Sequence, residues 1–143
     1  MSVKQISVFV ENRAGSLLDI TTRLAERNIN IRAVSLADTT RFGILRLIVD
    51  KVDECEKALR EDGFTVSITN VLVVRLRDEP GGLSDAVRVL TENGFNIDYI
   101  YAFISHAVND ACVIFRVGDI EFAEKILTEN GFKLFSDDDI MKI

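Results

Sequence analysis

The chain has 143 residues, 48% of them hydrophobic, and a formal net charge of −6. That length falls within the usual range of one domain, and the apolar share excludes intrinsic disorder. The acidic balance argues against nucleic acid as a partner, because a phosphate backbone must be met by a positive surface. No apolar run approaches the length that crosses a bilayer, and Met1-Ser2-Val3-Lys4-Gln5 lacks the basic-then-apolar pattern of a secretion signal. The expectation is a soluble cytoplasmic protein with no membrane association.

In chain order, Val3–Val10 alternates as a strand does. Leu17, Ile20, Thr21 and Leu24 fall at helical spacing and place one face inward. Ile29–Ala37 and Gly43–Asp50 read as strands joined by a loop around Asp38-Thr39-Thr40-Arg41. Cys55, Ala58 and Leu59 mark a second helix starting near Asp53, and Gly63 ends it, as a glycine just past a helix does. Phe64–Thr69 closes this half as a strand.

The second half repeats the first. A shift of 66 brings Asn12 onto Asp78, Gly15 onto Gly81, Leu17 onto Leu83, Asn30 onto Asn96 and Ile31 onto Ile97; later the shift is 68, and Gly63-Phe64 meets Gly131-Phe132. Such ordered matches identify a duplication. Asn70–Leu76 is read as a strand, and Leu83, Ala86, Val87 and Leu90 line a helix that stops before Gly94. Phe95–Ser105 and Asp110–Val117 are strands; Phe122, Ala123, Ile126 and Leu127 line a helix ended by Gly131; Phe132–Phe135 is a short strand. Ser136-Asp137-Asp138-Asp139 suits the start of a final helical turn.

Each copy therefore reads β-α-β-β-α-β, a split βαβ unit with both helices on one face of a four-stranded antiparallel sheet. The predicted fold class is α+β: two tandem ferredoxin-like units, 1–69 and 70–143, packed side by side. With one Pro and no Ser/Gly-rich tract, no flexible linker separates them. The strands are apolar on both parities: Leu45, Leu47 and Val49 on one side, Ile44 and Ile48 flanking Arg46 on the other, and Tyr99, Tyr101 and Phe103 alternating with Ile100, Ala102 and Ile104. A face that apolar is expected to be covered, and the reading made here is a homodimer. Arg46 and Arg75 are read as ion-pair partners at that interface, and Tyr99 and Tyr101 as its filling.

Each copy carries the same strand-to-helix turn: Glu11-Asn12-Arg13-Ala14-Gly15-Ser16-Leu17 and Arg77-Asp78-Glu79-Pro80-Gly81-Gly82-Leu83. Together with the Asn-Ile opening of the second strand in both copies, these turns resemble those of the ACT-domain family. The resemblance covers the whole chain, as a stand-alone tandem ACT protein. The first loop, followed by Asn30-Ile31, is similar to the serine-sensing regulatory module of phosphoglycerate dehydrogenases, with Ala14 in place of the usual Pro. The resemblance implies allosteric regulation through a small amino acid held between two modules. It implies two candidate sites: the loop Asn12, Arg13, Ala14, Gly15, Ser16 and Leu17 with Asn96, Ile97 and Ile100; and the loop Asp78, Pro80, Gly81, Gly82 and Leu83 with Asn30, Ile31 and Val34. The chemistry is reasonable without the family, since an Asn side chain meets both ends of a zwitterion and a helix start donates N–H groups to a carboxylate. Asp78 and Glu79 repel a carboxylate, so the first site is favoured, with Asp98 as a complication.

The simpler reading makes Asn12 and Asp78 turn and cap residues, and Asn30 and Asn96 the polar edges of strands. Cys55 and Cys112 show no ligand spacing and read as free thiols, and His106 reads as a solvated loop residue. No phosphate loop, zinc ligand set, nucleophile elbow or catalytic constellation is visible, so neither enzyme activity nor a cofactor or metal is expected. The partner expected is a separate metabolic enzyme. Two alternatives stand beside this: a ligand-free dimerisation subunit of such an enzyme, and an acyl-phosphate hydrolase using Arg13 and an Asn.

Overall fold

The structure is a computed structural model that describes residues 2–38, 41–103 and 111–142. The expected loop tip at Thr39 and Thr40, the end of the strand at Ile104 and Ser105, the strand start at Asp110, and His106 lie outside the described residues. The chain divides into two compact units, Lys4–Thr69 and Asn70–Ile143, the latter with Met1–Val3. In order, the first half contains β1 (Val3–Glu11), α1 (Ser16–Glu26), β2 (Ile31–Asp38), β3 (Phe42–Val49) and α2 (Val52–Glu61). After β4 (Thr65–Leu76) come α3 (Gly82–Glu92), β5 (Ile97–Ala102), β6 (Ala111–Val117), α4 (Ile120–Glu129), β7 (Lys133–Phe135) and α5 (Asp137–Lys142). Each unit is a βαββαβ module, as the periodicity predicts.

The strand order is β2-β3-β1-β4 in the first unit and β5-β6-β4-β7 in the second. β4 joins two expected elements: the strands predicted at Phe64–Thr69 and Asn70–Leu76 are one 12-residue strand. Nothing between Thr69 and Asn70 breaks an extended backbone, so the repeat boundary falls inside it. β2 and β5 begin later than Ile29 and Phe95 because those residues finish the preceding helices. Ile29 N–H donates to Leu24 O at 2.9 Å and Phe95 N–H to Leu90 O at 3.0 Å. The same closure, with a left-handed residue just before it, ends all four long helices: Asn28, Gly63, Gly94 and Gly131 carry the positive φ.

Both helices of each module pack on one sheet face. Ile20 and Leu24 of α1 and Cys55 and Leu59 of α2 meet Ile6, Val8, Leu45 and Leu47 in the first core. Register explains the selection, since Ile6 pairs with Leu47 and Val8 with Leu45, so these side chains share a face. The second core repeats this with Ala86, Leu90, Ala123 and Leu127 against Leu72, Val74, Phe115 and Val117. On the opposite faces, Ala33 and Ile48, and Val73 and Ile114, are fully buried. Phe9 and Phe42, by contrast, stay 51% and 42% exposed with ring centroids 5.2 Å apart. No helix among the described residues is long and apolar enough to cross a membrane.

At the C-terminal end, Ser136 and Asp139 form a reciprocal cap on α5. Ser136 N–H donates to Asp139 Oδ2 at 2.8 Å, and Asp139 N–H donates to Ser136 Oγ at 3.2 Å. The backbone bond first, and then the hydroxyl bond at 3.0 Å, hold the Asp139 carboxyl below its ordinary range. The stability from this ionised carboxylate is present above the unfolded pKa and is lost as pH falls through the lower folded one. Ser136→Ala should cost about 1 kcal/mol at neutral pH. Thermal melts should show the gap to wild type narrowing in acid, not vanishing, because Ser136 Oγ still accepts from Asp139 N–H there; a gap that does not change with pH contradicts the hydroxyl's bond to the ionised carboxylate.

Candidate functional site

The two β–α turns are built alike. Gly15 and Gly81 precede their helices with φ of 92° and 90°, in the left-handed region that glycine enters without steric cost. The backbone bonds correspond one to one. Arg13 N–H to Glu11 O (2.9 Å), Ser16 N–H to Arg13 O (3.3 Å) and Asp19 N–H to Gly15 O (2.9 Å) match Glu79 to Arg77 (2.9 Å), Gly82 to Glu79 (3.0 Å) and Asp85 to Gly81 (3.0 Å). Ala14 therefore makes the same turn as Pro80. No side chain caps either helix start, which leaves the first-turn N–H groups at Leu17 and Leu18, and at Leu83 and Ser84, to an outside acceptor.

Gly82 is more constrained than its place in a turn suggests. A Cβ there would lie 2.1 Å from Arg77 O, whereas at Gly15 and Gly81 nothing lies within 4 Å. Its counterpart Ser16 is buried. The two loops thus share bonds but not the clearance beneath them.

The first loop roofs a depression of about 70 Å³, lined by Asn12, Arg13, Ser16 and Leu17, with Leu36 and Gly43 opposite. Asn12 N–H donates to Arg41 O at 2.8 Å, tying the loop to the start of β3, while the Asn12 side chain is exposed. Leu36 and Gly43 are absent from the sequence-based site. They arrive through cross-strand register, Gly43 opposite both Val10 and Asp38, and the only hint in the sequence is a small residue at a strand start.

Charge in the loops is largely internal. Arg13 pairs with Glu11 at 3.3 Å and reaches Asp19 at 4.0 Å. In the second loop Arg77 pairs with Glu79 at 2.8 Å and Asp85 at 2.9 Å. The pair is inverted between copies, and Arg77, which the sequence reading left out, neutralises the Glu79 that was expected to repel a carboxylate.

The Asn-Ile strand starts lie elsewhere in their modules. Glu11 is opposite Phe42 at one end of β3, while Ile31 is opposite Val49 at the other, roughly 23 Å away at strand spacing. In the second unit Leu76 faces Ala111 and Ile97 faces Val117, roughly 20 Å apart by the same measure. A module's loop and its own Asn-Ile start are thus not brought together. Asn30 N–H donates to Asp50 Oδ1 at 2.9 Å; Gly118 stands at the matching place beside Asn96. Both Asn side chains are exposed. Ile31 and Ile97 lean on their cores, whereas Val34 and Ile100 are 40% exposed.

Other chemistry is scarce. Among the described residues no group of three His, Cys, Asp or Glu side chains is placed to hold a metal. Both cysteines are buried. Burial, with Asp50 and Glu56 adding to it, pushes the Cys55 thiol up to about 12, which removes it as a nucleophile at neutral pH.

Two βαββαβ modules with paired glycine turns and uncapped helix starts define a tandem regulatory-type fold, and the comparisons agree. The sequence matches the family of ACT domain pairs over residues 1–143, and the chain belongs to that family. Such pairs are typically ligand-binding regulatory modules rather than catalytic ones. Protein BT0572 from Bacteroides thetaiotaomicron is 36% identical, with a TM-score of 0.92 over 100% of this chain and 98% of that one. The regulatory subunit of aspartate kinase from Thermus thermophilus, in a ligand-free form, is 18% identical, with a TM-score of 0.63 over 87% and 88%. The corresponding subunit from Thermus flavus gives the same values. At that identity the likeness speaks for the fold alone. A comparison with curated proteins finds no match.

Two outcomes follow from the loop and the thiol. Gly82→Ala should lower stability by about 1–3 kcal/mol through overpacking against Arg77 O, read as a fall in melting temperature. An unchanged melt would mean the turn yields freely. In a Cys112→Ala variant, a thiol reagent at pH 8 should leave Cys55 unmodified until denaturant is added; rapid labelling of the native protein would contradict its burial.

Proposed function

We propose that this protein is an amino-acid sensor, binding a small ligand where the turn of one ACT module meets the Asn-Ile strand start of another. The observation that carries the reading is the depression of about 70 Å³ beneath the uncapped start of α1. It combines N–H donors for a carboxylate, the exposed amide of Asn12 for an ammonium, and Leu17, Leu36 and Gly43 for a side chain. Because a module's own loop and Asn-Ile start lie at opposite ends of its sheet, the partner strand must come from a different module. The proposed pairings are the Asn12–Leu17 loop with Asn96, Ile97 and Ile100, and the Asp78–Leu83 loop with Asn30, Ile31 and Val34.

The first site is the stronger, since its loop has Ala14 in place of Pro80 and so one more N–H, and lacks the carboxylate of Asp78. A ligand that favours one packing of the modules over another then alters a partner. That partner is read as a separate metabolic enzyme, in the cytoplasm. A homodimer covering Phe9 and Phe42 is part of the same proposal.

Calorimetry and thermal shift with serine, alanine, valine and other small amino acids test this. A ligand at a hundredfold excess over its Kd should add about 2.7 kcal/mol of stability. Asn12→Ala should weaken binding by about tenfold, the equivalent of one polar contact, with a smaller effect from Asp78→Ala. No shift with any amino acid would favour the ligand-free dimerisation subunit instead.

A further inference from the structure

A second feature of the Asn70–Ile143 unit is unrelated to the depression under α1. Along the edge formed by α3, the end of α4 and the β4–β7 pair runs a cleft of about 720 Å³. Four cationic residues line it, Arg75, Arg77, Arg88 and Lys133, against a single acid, Asp85. In a chain of net charge −6 this is a local reversal of sign. Arg77 is committed to Asp85 and Glu79. Arg88 and Lys133 are exposed and make no ion pair or side-chain hydrogen bond among the described residues. They come from α3 and β7, and the register that sets Lys133 opposite Arg75 fixes one side of the cleft.

The duplication supplies an internal control. The matching positions in the first unit are Phe9, Glu11, Thr22 and Thr65 for the four cations, with Asp19 for Asp85. There the corresponding edge is bridged: Arg23 Nε meets Asp62 Oδ2 at 2.9 Å, and Arg27 meets Glu61 at 3.3 Å. In the second unit Val89 replaces Arg23, Asn130 replaces Asp62 and Asn93 replaces Arg27. The two asparagines turn back onto their own helices, Asn93 donating to Val89 O at 2.7 Å and Asn130 to Ile126 O at 2.8 Å. The second unit thus lacks the ion pairs that tie the two helices of the first at this edge, and carries cations along it instead.

We propose that this cleft binds a small polyanion, a molecule bearing phosphate or several carboxylates, held by Arg88 and Lys133. Guanidinium presents a planar fork that matches both groups, and an ammonium adds a point charge. The ligand is chemically distinct from the zwitterion of the first loop, so the protein reads two classes of small molecule.

Calorimetry at low ionic strength on the full chain, with pyrophosphate and with citrate as probes, tests the proposal. Saturable binding of either is expected, weakening as salt is added. Pyrophosphate alone binding assigns the site to phosphate, and citrate alone to polycarboxylates. Arg88→Ala with Lys133→Ala should reduce affinity by at least about tenfold, the scale of a lost charge-assisted contact. Val89→Arg with Asn130→Asp, which restores the bridge of the first unit, should reduce it similarly, while Thr65→Ala leaves it unchanged. Binding of neither probe, or binding that both double variants retain at full affinity, would overturn the assignment.

Discussion

A strand that ends at Glu11 or Leu76 must hand the chain to a helix within a few residues and lay that helix over the sheet it has just left. The left-handed glycine at each turn makes this possible, because a side chain at such a φ is strained whatever the surrounding space. The apolar rows of α1 and α3 then fall on the faces of β1, β3, β4 and β6 that register has already aligned. The same geometry leaves both helix starts without a side-chain cap. Core packing and the two open helix starts therefore trace to one backbone requirement met twice.

Beyond that shared requirement the copies have separated. The turn bonds agree within a few tenths of an ångström, while the side chains around them differ in sign, size and pairing. Ser16 has Gly82 as its counterpart, where the backbone of Arg77 crowds in; Asp50, which braces Asn30, has Gly118 as its counterpart. A duplicated fold tolerates this because its stability rests on the apolar face of each sheet, leaving loops and helix edges free to specialise.

Much of the architecture was legible in the sequence because it depends on local patterns. Leu17, Ile20 and Leu24 announced a helix by spacing, and Gly63, Gly94 and Gly131 announced helix ends by the conformation only glycine adopts readily. The joined strand through Thr69 and Asn70 was missed because a repeat boundary implies a break that the backbone does not make. Around the two turns the glycine geometry was legible and the surroundings were not. Leu36 and Gly43 join the depression through cross-strand register, and the pairing of Arg77 with Glu79 and Asp85 depends on side-chain placement. Arg88 and Lys133 are distant in sequence, and only the folded edge of the module sets them beside one cleft.

The pair is inverted, Glu11 with Arg13 in one turn and Arg77 with Glu79 in the other, so the two turns present their charges in opposite order beside a helix start. The halves also expose dipoles of opposite polarity to anything that settles on them, so one molecule cannot lie in the same sense on both. A chain that began as two equal copies has in this way acquired a direction.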